Sequence, residues 1–77
     1  MLTGAQIRAA RAALGWSTLV LAEKAGVASK TISRFEEANG VPPSRSSTLL
    51  DVKLALESAG IEFIGSPGNN PGIVIKT

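Results

Sequence analysis

The sequence predicts a mainly α-helical domain, a bundle of about four helices followed by a C-terminal β-hairpin. Three observations carry this expectation. Apolar residues recur at three- and four-residue spacing from Ile7 to Leu56, the period of a helix face. Helix stops punctuate that pattern: Gly15, Gly26 and Gly60 each follow a helical run, and Asn39-Gly40 with Pro42-Pro43 follows another. Beyond Gly60 the period changes to short β-branched runs separated by turn formers.

The elements follow in order. Thr3-Gly4-Ala5-Gln6 is a capping box, in which the Thr hydroxyl accepts an amide N–H three residues on and the Gln side chain reaches back. A first helix from about Gly4 to Leu14 follows, with Ile7, Ala10 and Leu14 on one face. Ser17 caps a second helix, Thr18 to Ala25, which Gly26 ends. A third helix spans Ser29 to Glu37 and turns Ile32 and Phe35 inward. Ser46 or Ser47 is the expected cap of a fourth helix running to Ala59, with Leu49, Val52 and Leu56 as its buried stripe and Leu50 and Leu54 widening it. Ile61-Glu62-Phe63-Ile64 and Ile73-Val74-Ile75 read as two strands around a long loop, residues 65–72. No internal repeat or domain boundary is visible. The expected organisation is a helical unit over residues 1–60 and a hairpin tail over 61–77.

Composition narrows the function classes. The chain has 77 residues, room for one compact domain, and its 44% hydrophobic content favours a folded core over disorder. Cys and His are both absent, which excludes disulfides and thiolate chemistry and leaves a transition metal only carboxylate ligands. No metal or cofactor is therefore expected. No apolar run is long enough to span a bilayer, and the N-terminus lacks the basic and apolar regions of a signal peptide, so the expected location is the cytoplasm. The net charge of +2 is uneven. Residues 1–45 hold Arg8, Arg11, Lys24, Lys30, Arg34 and Arg45 against Glu23, Glu36 and Glu37. Residues 46–77 hold Lys53 and Lys76 against Asp51, Glu57 and Glu62. A basic N-terminal part suits a polyanion.

The segment Thr18 to Phe35 carries the functional information. A helix ends at Gly26, a turn of two or three residues follows, and a second short helix begins. Two helices crossing steeply need a small residue where they touch, which Ala22 supplies, and a turn residue with positive φ, which Gly26 supplies. Ile32, six residues after Gly26, plugs the second helix into the core. These are the spacings of a DNA-binding helix-turn-helix.

Residues 5–60 resemble the phage-repressor and Cro type of helix-turn-helix, the XRE family. The resemblance runs through Ile7-Arg8, Arg11, Leu14-Gly15-Trp16-Ser17 and Leu21-Ala22-Glu23-Lys24-Ala25-Gly26-Val27, and then through Thr31-Ile32-Ser33-Arg34-Phe35-Glu36 and Asn39-Gly40-Val41-Pro42. It implies a lambda-repressor-like bundle and a transcriptional regulator, a repressor by preference, that binds double-stranded DNA as a homodimer on a palindromic operator. It also implies a nucleoid association. The third helix becomes the recognition helix, with Ser29, Lys30 and Arg34 at base edges. Thr18, Thr31, Ser33, Asn39, Arg45 and Ser46 become phosphate contacts. Arg11 and Glu36 match a pair that bridges the first and third helices, and Trp16 matches a core position.

The chain departs from that pattern at three places. Ala28 stands where the recognition helix is usually capped by Ser or Thr, so Ser29 is divided between capping and reading a base. Leu19 and Val20 stand at positions that are usually polar, so either they find cover in this protein's fold or they form a small exposed patch for a partner. The hairpin is additional, and its residues Ile61, Phe63, Ile64, Ile73, Val74 and Ile75 are the expected dimerisation element, because sheet edges offer unpaired N–H and C=O groups to a second copy. A rival reading is a protein-interaction module, such as an antitoxin that binds a toxin. An enzyme is not expected. Glu23, Glu36, Glu37, Asp51, Glu57 and Glu62 form no pair by spacing, and Ser and Thr have no His to activate them. Lys24 reads as a solvated charge, and the Gly-rich stretch 65–72 lacks the Lys and following helix of a phosphate-binding loop.

Overall fold

The computed structural model describes residues 2–37, 46–66 and 69–76. Four helices precede a two-stranded antiparallel sheet: α1 (Gly4–Leu14), α2 (Thr18–Ala25), α3 (Ser29–Glu37), α4 (Ser46–Ser58), β1 (Ile61–Ser66) and β2 (Asn69–Ile75). No helix among the described residues is long and apolar enough to cross a membrane.

Local chemistry sets the first two helices. Both arms of the capping box form at α1: the Gln6 amide donates to Thr3 Oγ1 at 3.1 Å, and the Thr3 amide donates to Gln6 Oε1 at 2.9 Å. Ser17 caps α2 by accepting from the Val20 amide at 3.1 Å. Both helices close in the same way. Gly15 and Gly26 are left-handed at φ 71°, and the next residue's amide reaches back to the last turn, Trp16 to the Arg11 carbonyl and Val27 to the Ala22 carbonyl, each at 3.0 Å. At α3 the Ala28 carbonyl accepts from Thr31 and Ile32, but among the described residues no side chain caps the helix.

One core joins all six elements. Ile7 and Ala10 of α1, Leu21 and Ala22 of α2, Ile32 and Phe35 of α3, and Leu49, Val52 and Leu56 of α4 are buried together, with Leu2 before α1 and Ile61 of β1. Leu14, Trp16, Ala25, Val27, Phe63 and Ile73 pack against this cluster as half-buried residues. Ala22 is buried in α2, which packs on both α3 and α4.

Three expectations need correction. Leu50 and Leu54 do not widen the buried stripe of α4; each is 50% exposed. Leu54 lies two residues from both Val52 and Leu56, which puts it on the far side of a helix whose inner face those two occupy. The fourth helix includes Ser46 as its first residue and stops at Ser58, so neither Ser46 nor Ser47 is its cap; the cap position falls outside the described residues. The hairpin loop is shorter than expected, because the ladder continues through Ile64↔Gly72 to Ser66↔Asn69. A register shift between Ile64 and Ser66 is absorbed by Gly65 at φ 75°, and Asn70 also takes the left-handed region at φ 52°. Their composition marked them as loop, yet the same freedom lets the strands run on.

Among the described residues, hydrogen bonds tie the hairpin to the helical part at two points. Gly60, at φ 100°, ends the α4 turn, and its carbonyl accepts from the Lys76 amide at 2.6 Å. A Cβ at Gly60 would stand 2.7 Å from the Lys76 carbonyl oxygen, so only glycine fits. The second point is Gln6. Its Nε2 donates to the Ile64 carbonyl at 3.1 Å and the Gly72 carbonyl at 2.9 Å, across the paired strands. Gln6 is 4% exposed, so its single amide both completes the α1 cap and fastens the sheet to α1.

Candidate nucleic-acid interface

α3 is the most amphipathic element of the chain. Its inner face is Ile32, Phe35 and Glu36, all buried. Lys30, Arg34 and Glu37 are exposed on the opposite side, at spacings of four and three residues. Ser33 lies between Lys30 and Glu37 on this face and is half-buried, as are Ser29 one turn before it and Thr31 on the other flank. Ser29 is the first helical residue, and among the described residues its hydroxyl makes no hydrogen bond to the helix start. Two cations and one acid thus form the outward strip, with Ser33 and Ser29 half-buried along its flank.

The acid was not foreseen as part of this face. Helical spacing from Lys30 and Arg34 places Glu37 there, and that count was available in the sequence. Its carboxylate opposes the two cations, and it also sits in the last turn, where the helix dipole disfavours a negative charge.

The orientation of α3 is set from behind by a charged clamp. Arg11 Nε and Nη2 donate to Glu36 Oε2 and Oε1 at 2.7 and 2.9 Å. Its Nη1 donates to the Trp16 carbonyl at 3.0 Å. One guanidinium therefore joins α1, α3 and the turn before α2, in the two-pronged geometry that suits Arg and not Lys. The hydrogen bond to Glu36, opposed by partial burial and helped by the carboxylate charge, holds Arg11 above the usual Arg value. Glu36 is thereby paired on the inner face of α3, away from the outer strip. Among the described residues every buried side-chain nitrogen and oxygen has a partner.

Thr18 opens α2, the helix packed on α3, and is half-buried. Ser17 serves the Val20 amide, which leaves the Thr18 and Leu19 amides, in the first turn, without an intrahelical acceptor and suited to an anion. Asn39 and Arg45 lie outside the described residues, and of Ser46 only the backbone, at the start of α4, is described. Lys24 is exposed with its Nζ 5.6 Å from the Trp16 ring centroid, a cation–π contact on a half-buried ring.

The hairpin residues divide. Ile61 is buried in the protein's own core, and Phe63 and Ile73, paired across the ladder, pack against it. Ile64, Val74 and Ile75 are exposed. Lys76 and Glu62 form an exposed ion pair at 2.9 Å, and the hydrogen bond that Lys76 Nζ donates to Glu62 Oε1 raises the Lys76 value. Leu19 is 58% exposed and Val20 half-buried. Among the described residues no group of three acidic side chains gathers to hold a metal ion.

No protein-family model matches the chain, and no curated protein matches it.

Proposed function

We propose that the protein is a sequence-specific DNA-binding regulator, a repressor in the phage-repressor and Cro mould, with α2 and α3 as its helix-turn-helix and α3 as its recognition helix. The outward strip of α3 carries this reading: Lys30 and Arg34 stand exposed, with Ser29 and Ser33 beside them, on a helix held rigidly by Ile32, Phe35 and the Arg11–Glu36 clamp. Lys30 and Arg34 can donate to guanine O6 and N7 in a major groove, and Ser accepts or donates to either base type. Thr18 with its free helix-start amides, and Thr31 on the flank of α3, supply phosphate contacts, as do Asn39, Arg45 and Ser46 in this reading.

The proposed active form is a homodimer on a palindromic operator, two α3 helices entering successive major grooves about 34–36 Å apart. The hairpin joins the two copies. Its inner residues are committed to the core, while Ile64, Val74 and Ile75 and the open strand edges are available to a second hairpin.

A specific observation favours a second reading, an interaction module that binds another protein such as a toxin. Leu19, Leu50 and Leu54 are large apolar side chains at least half exposed. Salt separates the two. In fluorescence anisotropy with a labelled duplex, contacts to four or more phosphates lower the binding constant by about a hundredfold or more between about 50 and 200 mM salt. A duplex that does not bind at low salt overturns the DNA reading and moves the search to a protein partner.

A further inference from the structure

α1 holds a clamp at each end, and the two clamps face different parts of the molecule. Near its C-terminal end Arg11 grips Glu36 of α3. Near its N-terminal end Gln6 grips the Ile64 and Gly72 carbonyls of the hairpin. The two residues are five apart, about 7.5 Å along a stiff helix. Among the described residues a second hydrogen-bonded tie of the hairpin is at its base, where the Lys76 amide meets the Gly60 carbonyl. Ile61, Phe63 and Ile73 lay the inner face of the sheet on the core, but apolar packing is non-directional and does not by itself fix the angle of the sheet on its bed. Gln6 adds a directional tie at Ile64 and Gly72, away from the base, where hydrogen-bond geometry does set that angle.

We propose that Gln6 is a positioning residue for operator geometry: by fastening the hairpin to the helix that holds α3, it fixes the separation and rotation of the two recognition helices and so the half-site spacing that the dimer accepts. This inference rests on the reading of the chain as a DNA-binding homodimer joined through its hairpins. Inserting one base pair between half-sites displaces the second by about 3.4 Å and rotates it around the duplex, so a rigid link rejects the altered site while a hinged one follows it.

Gln6→Glu isolates the effect. Glu at this position keeps the capping box, because its oxygen still accepts from the Thr3 amide. It loses both donors to the hairpin carbonyls and sets a carboxylate against them. Wild-type protein and Gln6→Glu are each used to select duplexes from one random pool, after circular dichroism has shown both folded at the selection temperature. Gln6→Met, uncharged and of similar length, replaces Gln6→Glu if the latter does not fold. The inference expects the wild type to enrich an inverted repeat at a single spacing, and the variant to enrich the same half-site over several spacings, with the discrimination against a one-base-pair insertion reduced about tenfold. The same half-site at the same single spacing in both proteins overturns the role of Gln6 and leaves the DNA reading standing. Enrichment of nothing, or of an unpaired half-site, by the wild type overturns the reading itself and the inference with it.

Discussion

Arg11 and Glu36 form a two-pronged ion pair, 2.7 and 2.9 Å, between the first and third helices, and the same guanidinium also caps the Trp16 carbonyl. Glu36 is only 9% exposed, so removing its partner strands a charge in a poorly solvated place. Arg11→Met is expected to destabilise the protein by about 2–3 kcal/mol in urea denaturation. Arg11→Lys should recover only part of this, since a single ammonium cannot serve both carboxylate oxygens and the carbonyl. A loss below about 0.5 kcal/mol for Arg11→Met, the level of an ordinary surface substitution, would show that the pair does not hold α3 in place.

Glu37 shares the outward strip with Lys30 and Arg34. Facing a polyanion it subtracts from affinity, and at the C-terminal turn of α3 it opposes the helix dipole. Glu37→Gln should therefore tighten binding to unselected duplex by about 1 kcal/mol at low salt, with the gain fading as salt rises. The melting temperature should hold or rise slightly. Weaker binding by this variant would mean that the carboxylate makes a favourable base contact instead.

Gly26 and Gly60 are both left-handed, but their surroundings differ. A Cβ at Gly26 meets nothing within 4 Å, whereas one at Gly60 strikes the Lys76 carbonyl oxygen at 2.7 Å. Gly26→Ala should cost about 1–2 kcal/mol, the backbone penalty alone. Gly60→Ala adds a clash with backbone that cannot move without detaching β2, so its melting temperature should fall further. Equal losses in the two variants would contradict the anchoring of β2 at Gly60.

The exposed leucines of α4 give a contrast with its inner face. Leu50→Gln with Leu54→Gln should shift stability by no more than about 0.5 kcal/mol, whereas Leu56→Ala, fully buried, should cost about 2–5 kcal/mol. A large loss from the outer pair would show that these side chains are covered in solution. Concentration-dependent melting would then identify a second copy as the cover.

These contrasts show which parts of the molecule were legible in the sequence. The bounds of α1 and α2 follow from chemistry within a few residues: Thr3 and Gln6, Ser17, and the left-handed Gly15 and Gly26. The inward positions Ile7, Ala22, Ile32 and Phe35 follow from spacing for the same reason. In α4 spacing was ambiguous. Leu49, Val52 and Leu56 make one apolar stripe and Leu50 and Leu54 another, and only the packing of α2 and β1 decides which is buried. The hairpin's length was hidden because Gly65 and Asn70 look alike as loop formers and as bulge residues. The Gln6 tie to Gly72 spans 66 residues of sequence and has no local signature at all. At the candidate interface, the face shared by Lys30 and Arg34 was readable, Glu37 was countable but overlooked, and the division of the hairpin into inner and outer residues needed the sheet register.

The central claim is that α3 reads DNA through Lys30 and Arg34. The most direct test is selection of duplexes from a random pool, run in parallel on the wild type and on Lys30→Ala with Arg34→Ala. Both side chains are exposed, so the variant should keep the wild-type melting temperature. The account predicts that the wild type enriches a palindromic motif and that the folded variant enriches none. A wild type that enriches nothing, or a variant that enriches the same motif, would contradict it.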